Sequence, residues 1–256
     1  MRNILIIAAR ELRGLFLSPL AWSILGVVQF IHAYLFMSNL KGFTQIASRL
    51  NLMDNPPGLT EVVVVPVFGG WITIVLWLVI VPLLTMRLIS EERRSKTLSL
   101  LFSAPISMTE IILGKFLGIL IFLVIMIGML TLMPLSLAIG GTLDYGLLFA
   151  VVLGLLLMMA AFASVGLYMS TLTVQPTVAA VSTFGILLLL WIIDWAGGKV
   201  ADENASGALA YLSILRHFES LSKGVFNSSD IMYYLLFIIT FLVLSIRRLD
   251  VDRLQR

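Results

Sequence analysis

The sequence predicts an all-α membrane protein. It should have six transmembrane helices, an N-terminal interfacial helix and an extracytoplasmic amphipathic helix before the last span. Three observations carry this. The chain is 60% hydrophobic and only 12% charged over 256 residues, about half the charge of a soluble domain. Uncharged runs fill 62–86, 116–143 and 145–193; a bilayer crossing takes ~20 apolar residues, so the last run holds two spans. Basic residues, finally, are unevenly shared between the two sides that six crossings create.

Taken in order, residues 1–17 read as a helix lying in the membrane interface. Ile4, Leu5, Ala8, Leu12, Leu15 and Phe16 share one arc at helical spacing. Arg2, Asn3, Arg10 and Arg13 share the other, with Ile6 and Leu17 as exceptions. Ser18-Pro19 ends this helix and opens the first span, 20–40. An outer loop over 41–61 turns at Asn55-Pro56-Pro57-Gly58. The second span, 66–88, is expected to kink at Pro82, and the third, 108–139, to bend at Pro134. A turn at 140–144 leads into the fourth span, 146–170, and a chargeless inner turn into the fifth, 176–195. Before the last span, 230–247, an amphipathic segment over 205–226 repeats Tyr211, Ile214, Leu215, Phe218, Leu221 and Val225 at helical spacing, with Gly224 able to end it. The whole chain reads as a single transmembrane domain.

Six spans put both ends on one side. That side then holds Arg2, Arg10, Arg13, Arg87, Arg93, Arg94, Lys96, Lys115, Arg247, Arg248, Arg253 and Arg256. The other side holds only Lys41, Arg49, Lys199, Arg216 and Lys223. The positive-inside rule places the larger group, and so both termini, in the cytoplasm of an inner-membrane protein.

The most informative stretch is 90–107, between the second and third spans. It opens on Glu91 and Glu92, which the helix dipole favours in a first turn, and continues with Arg93, Arg94 and Lys96. Leu98, Leu100, Leu101 and Phe102 follow, so 91–102 reads as one short helix. Ala104-Pro105-Ile106 is a turn, and Ser107-Met108-Thr109-Glu110 a capping box that starts the next helix. Two helices joined at a proline form a knob able to seat in another protein. A plain basic loop that only fixes topology is the competing reading, but such a loop has no use for the four apolar residues.

Several chemistries are excluded or left without support. No cysteine is present, which removes disulfides, iron–sulfur clusters and thiolate metal sites. Gly197-Gly198-Lys199 lacks the upstream glycine of a phosphate-binding loop. His217 and Glu219 are too few for a metal site, and nothing points to nucleic acid. Within the spans, Gln29, His32 and Asn39 stand out because polar groups are costly there. They read either as a strip lining a translocation path or as interhelical hydrogen-bonding groups. An intramembrane enzyme would need clustered ionisable groups at mid-membrane. A secondary carrier would need coupling carboxylates and mirrored broken helices. Neither pattern is seen.

The string SEERRSKTLSLLFSAPISMTEIILGK, Ser90 to Lys115, resembles the cytoplasmic signature of type-2 ABC transporter (ABC-2) permeases. The string LSILRHFESLSKGV, Leu212 to Val225, with Asp230 and Tyr233 beyond it, is similar to permeases associated with bacterial gliding motility. Lys96 stands where that family usually has glycine, and Ser99 where glutamate is common. The resemblance implies a half-transporter with no fuel site of its own. ATP and magnesium would sit on two copies of a cytoplasmic ABC ATP-binding subunit. A second permease copy or homologue, an auxiliary periplasmic protein and membrane lipid complete the implied partners. It also implies that 90–107 holds the coupling helix, with Glu91, Glu92, Arg93, Arg94, Thr97, Leu98, Leu101, Pro105 and Ile106 facing the ATPase. Tyr211, His217, Phe218 and Glu219 would form an extracytoplasmic gate.

Overall fold

The computed structural model describes residues 2–50, 56–98, 106–139, 142–197 and 213–254. Among these there is no strand, and six helices are long and apolar enough to cross a membrane. The elements are α1 (Arg2–Leu17), α2 (Pro19–Leu50), a π-helical turn (Thr60–Val64), α3 (Val65–Gly69), α4 (Trp71–Thr85) and α5 (Ser90–Arg94). They continue with α6 (Met108–Ser136), a 3₁₀ turn (Leu137–Ile139), α7 (Tyr145–Leu172), α8 (Pro176–Gly197), α9 (Ile214–Ser222) and α10 (Ser228–Leu254).

Helix α7 is the centre of the bundle. Val151, Leu155, Met158, Met159, Ala161 and Val165 are buried along it, while α8 and α10 keep most of their surface on the periphery. Such close packing needs small residues at the crossings. A Cβ added at Gly166 would lie 2.0 Å from Thr85 Oγ1 of α4, so these two helices touch backbone to side chain. Asp144 caps α7 by accepting from the Leu147 amide at 3.0 Å.

The first helix is docked on α6. It lies lengthwise along α6, both running the same way. Asn3 Nδ2 donates to Glu110 Oε1 at 3.1 Å, Ile4 and Ile7 meet Gly114, Ala8 and Glu11 meet Gly118, and the Phe16 and Phe122 rings sit 5.4 Å apart. The spacing Gly114-x-x-x-Gly118 makes this approach possible, because a Cβ at either glycine would reach to 3.0 Å or less from α1 atoms. The apolar arc of α1 is therefore spent on α6. Leu5, placed on that arc by periodicity, is exposed instead.

Other boundaries differ for local reasons. Helix α2 continues past residue 40 to Leu50, since nothing before Pro56 forces a stop and Gly42 alone is tolerated. The second crossing starts at Thr60 rather than 66, and its break is at Gly70 rather than Pro82. Gly70 has φ −64° and ψ 152°, and its amide bonds Pro66 O at 2.9 Å. Pro82 stays within α4, and the Met86 amide still reaches Pro82 O at 2.9 Å. Helix 91–102 is not formed as read: α5 ends at Arg94, and Lys96 turns the chain with φ 58°. This left-handed conformation costs a non-glycine residue about 1 kcal/mol.

Candidate functional site

The charged segment is built on the end of α4. Thr85 Oγ1 bonds Val81 O at 2.8 Å, and the chain then turns through 86–89 into α5. The amides at the start of α5 would be orphaned there. Ser170 of α7 accepts from both, Ile89 N at 2.9 Å and Ser90 N at 3.0 Å, and donates to Met86 O at 3.2 Å. Ser90 also donates to Met86 O, and both serines are fully buried. Replacing Ser170 with alanine leaves two buried amides unsatisfied, which costs about 2 kcal/mol. We expect faster tryptic cleavage at Arg93 and Arg94 in that variant; an unchanged cleavage rate would show that the joint does not need the hydroxyl.

Two ion-pair clusters then fasten α5 to the rest of the bundle. Glu92 pairs with Lys115 of α6 at 2.9 Å, and Lys115 also reaches Glu11 of α1 at 3.1 Å. Arg93 pairs with Asp252 of α10, to which Arg248 adds a contact at 3.6 Å. Lys115 is 4% exposed, so its charge is acceptable only because two carboxylates surround it. Three crossings and the N-terminal helix thus converge on six residues.

This arrangement divides the residues singled out in the sequence. Glu92, Arg93 and Leu98 face inward, the first two as ion pairs and Leu98 as core. Glu91, Arg94 and Thr97 face outward. Glu91 and Arg94 line a polar cleft with Arg87, Ser95 and the first residues of α8, Pro176 and Thr177. Ile106 is half-buried and packs on the core just before the capping box, where Ser107 Oγ accepts from Glu110 N at 3.2 Å and Glu110 Oε2 from Ser107 N at 3.1 Å. Leu101 and Pro105 lie outside the described residues, as does Tyr211.

The polar residues of α2 are turned into the bundle. His32 is fully buried, with Nδ1 2.8 Å from Val28 O and its ring 5.8 Å from that of Trp77. Gln29 donates to Met126 O of α6 at 3.4 Å, and Asn39 is half-buried.

At the opposite end of the bundle, α9 is wedged in rather than laid on. Phe218 is 1% exposed and fills the space left by two glycines, with Cε1 3.0 Å from the Cβ site of Gly69 and Cδ2 3.2 Å from that of Gly154. His217 Nδ1 sits 2.6 Å from Asp230 Oδ1, and its ring stacks on Tyr233 at 4.1 Å. Tyr234 donates to Ile214 O at 2.7 Å. Glu219 points outward, and Gly224, φ 76°, closes the helix with its amide on Leu221 O.

Sequence reasoning missed Ser170, Glu11, Thr85 and Asp252, and took Lys115 only as topological charge. A lone serine in an apolar helix and an acid near a basic tail carry no signal of partners 80 to 160 residues away. The one hint was Lys115 itself, a cation two turns into a span.

The described residues thus form a bundle of six helices long and apolar enough to cross a membrane, with an ion-paired charged segment at one end and a buried amphipathic helix at the other. Residues 5–252 match the family described as ABC-2 family transporter protein, so the chain belongs to that family. It is a permease subunit of an ABC transporter, a kind of subunit that works with an ABC ATP-binding partner. Comparison with curated proteins returns no match.

Proposed function

We propose that this permease couples ATP hydrolysis on a separate ATP-binding subunit to export or mechanical extrusion of a substrate, and that α5 with the turn after it is the contact. One observation carries the reading. Glu92, Arg93 and Ser170 fasten the segment to three crossings, while Glu91, Arg94 and Thr97 are left facing out. A surface that is fastened inward and exposed outward can pass on a push. Leu101, Pro105 and Ile106 extend the contact in this reading.

The remaining assignments rest on the sequence. The positive-inside rule puts both termini in the cytoplasm of an inner-membrane protein, and the resemblance puts the chain in the gliding-motility-associated subfamily. Two ATP-binding subunits bind two permeases, identical or homologous, with an auxiliary periplasmic protein. Phe218 and His217, with Tyr211 and Glu219, act as the extracytoplasmic gate, and Gln29, His32 and Asn39 serve the translocation path. ATP and magnesium are held by the partner.

Alanine at both Glu91 and Arg94 tests the contact without touching the internal ion pairs. The expected result is a loss of co-purifying ATP-binding subunit of about tenfold or more, the size seen when anchor residues of an interface are truncated. Membrane insertion should be unchanged. Undiminished capture of the ATPase together with undiminished ATP-dependent activity would overturn the proposal.

A further inference from the structure

We propose that the outward stripe of α1 binds anionic phospholipid at the membrane surface where α2 begins. Docking on α6 turns the inner arc of α1 away from solvent and takes Glu11, its only carboxylate, with it to pair with Lys115. Among the residues left outside, Ile6, Arg10, Arg13 and Leu17 are spaced as one line along the helix, with Arg2, Leu5 and Ala9 exposed beside it. Ile6 is 58% and Leu17 78% exposed, and both arginines are exposed. Among the described residues neither arginine joins an ion pair. Gly14 beside them leaves open space, with no atom within 4 Å of a Cβ built there.

The occupant follows from charge and from what the stripe joins. Two guanidinium groups with no carboxylate on their face suit a phosphate, which a guanidinium can hold with two hydrogen bonds. One turn further on, Leu17 and then Trp22 of α2 are exposed and apolar, and Phe30 continues the same kind of surface down the span. Cations followed within one turn by bare apolar side chains match a headgroup followed by acyl chains. A soluble subunit can meet the arginines but cannot follow the stripe onto the surface of a membrane-spanning helix. The assignment does not depend on what the permease transports.

The absence of cysteine in the chain makes a clean test available. Gly14→Cys, labelled with a fluorophore, is reconstituted as the full chain in vesicles containing brominated phosphatidylglycerol or brominated phosphatidylcholine. Near an anionic surface each arginine contributes roughly fivefold in affinity. With two arginines, quenching by the phosphatidylglycerol is therefore expected at about a twenty-fifth of the mole fraction needed with phosphatidylcholine. The difference should disappear in Arg10→Gln/Arg13→Gln, whose side chains are exposed and whose loss leaves the α6 contact intact. Equal quenching by the two lipids in the parent would overturn the proposal, as would a preference that survives in the double variant. Adding the ATP-binding subunit is a third arm: a label shielded from both lipids would assign the stripe to that protein and sink the lipid site.

Discussion

Lys115→Met is expected to lower the stability of the purified protein by about 3 kcal/mol, read as a fall in its unfolding temperature in detergent. Lys115 is 5% exposed in its side chain and stands between Glu11 and Glu92, themselves 24% and 14% exposed. Removing the cation leaves two largely buried carboxylates facing one another without compensation, the case in which breaking a buried ion cluster is most costly. The effect has a signature. Glu11→Gln together with Glu92→Gln, in the Lys115→Met background, should recover most of the loss, because the uncompensated charge is gone. A simple packing role for the lysine stem predicts no recovery. An unchanged unfolding temperature in Lys115→Met would show that the cluster is solvated.

Gly166→Ala should destabilise by about 2 to 3 kcal/mol, at the upper end for an extra methyl in a packed core. The new Cβ would fall 2.0 Å from Thr85 Oγ1 and 2.7 Å from Thr85 Cβ. Rotating the hydroxyl away removes only the first conflict, and it also breaks the bond to Val81 O at 2.8 Å. Helices α4 and α7 must therefore separate just above the joint that Ser170 holds. Gly185→Ala is the control. Nothing lies within 4 Å of a Cβ there, so it should be neutral or slightly stabilising, since alanine favours the helix over glycine. Equal unfolding temperatures for the two variants would show that α4 and α7 are not in contact at this point.

The parts of the fold that the sequence made legible are those written in nearby residues. Uncharged runs reveal crossings because each must satisfy its own backbone in lipid. The capping box at Ser107 and Glu110 is read from four consecutive residues and is present with both reciprocal bonds. What was hidden depends on residues far apart or on conformation that composition masks. Periodicity gave α1 two faces but not the neighbour that takes one of them, so Leu5 was placed inside. Lysine is a good helix former, so Lys96 concealed a left-handed turn that glycine at the same position would have announced. Glu92 and Arg93 looked like surface charges because their partners, Lys115 and Asp252, belong to other helices.

The break at Gly70 has a mechanical meaning. Above it, Thr60 accepts from the Asp144 amide at 2.9 Å, and Gly69 seats the ring of Phe218. Below it, α4 is clamped at Thr85 and feeds the charged segment. A Cβ at Gly70 would come within 2.3 Å of Pro66 O, so no other residue permits the corner. The second crossing is thus two rods in series meeting at a tight corner that the Gly70–Pro66 and Ile74–Gly70 backbone bonds bridge, each rod bolted to different neighbours.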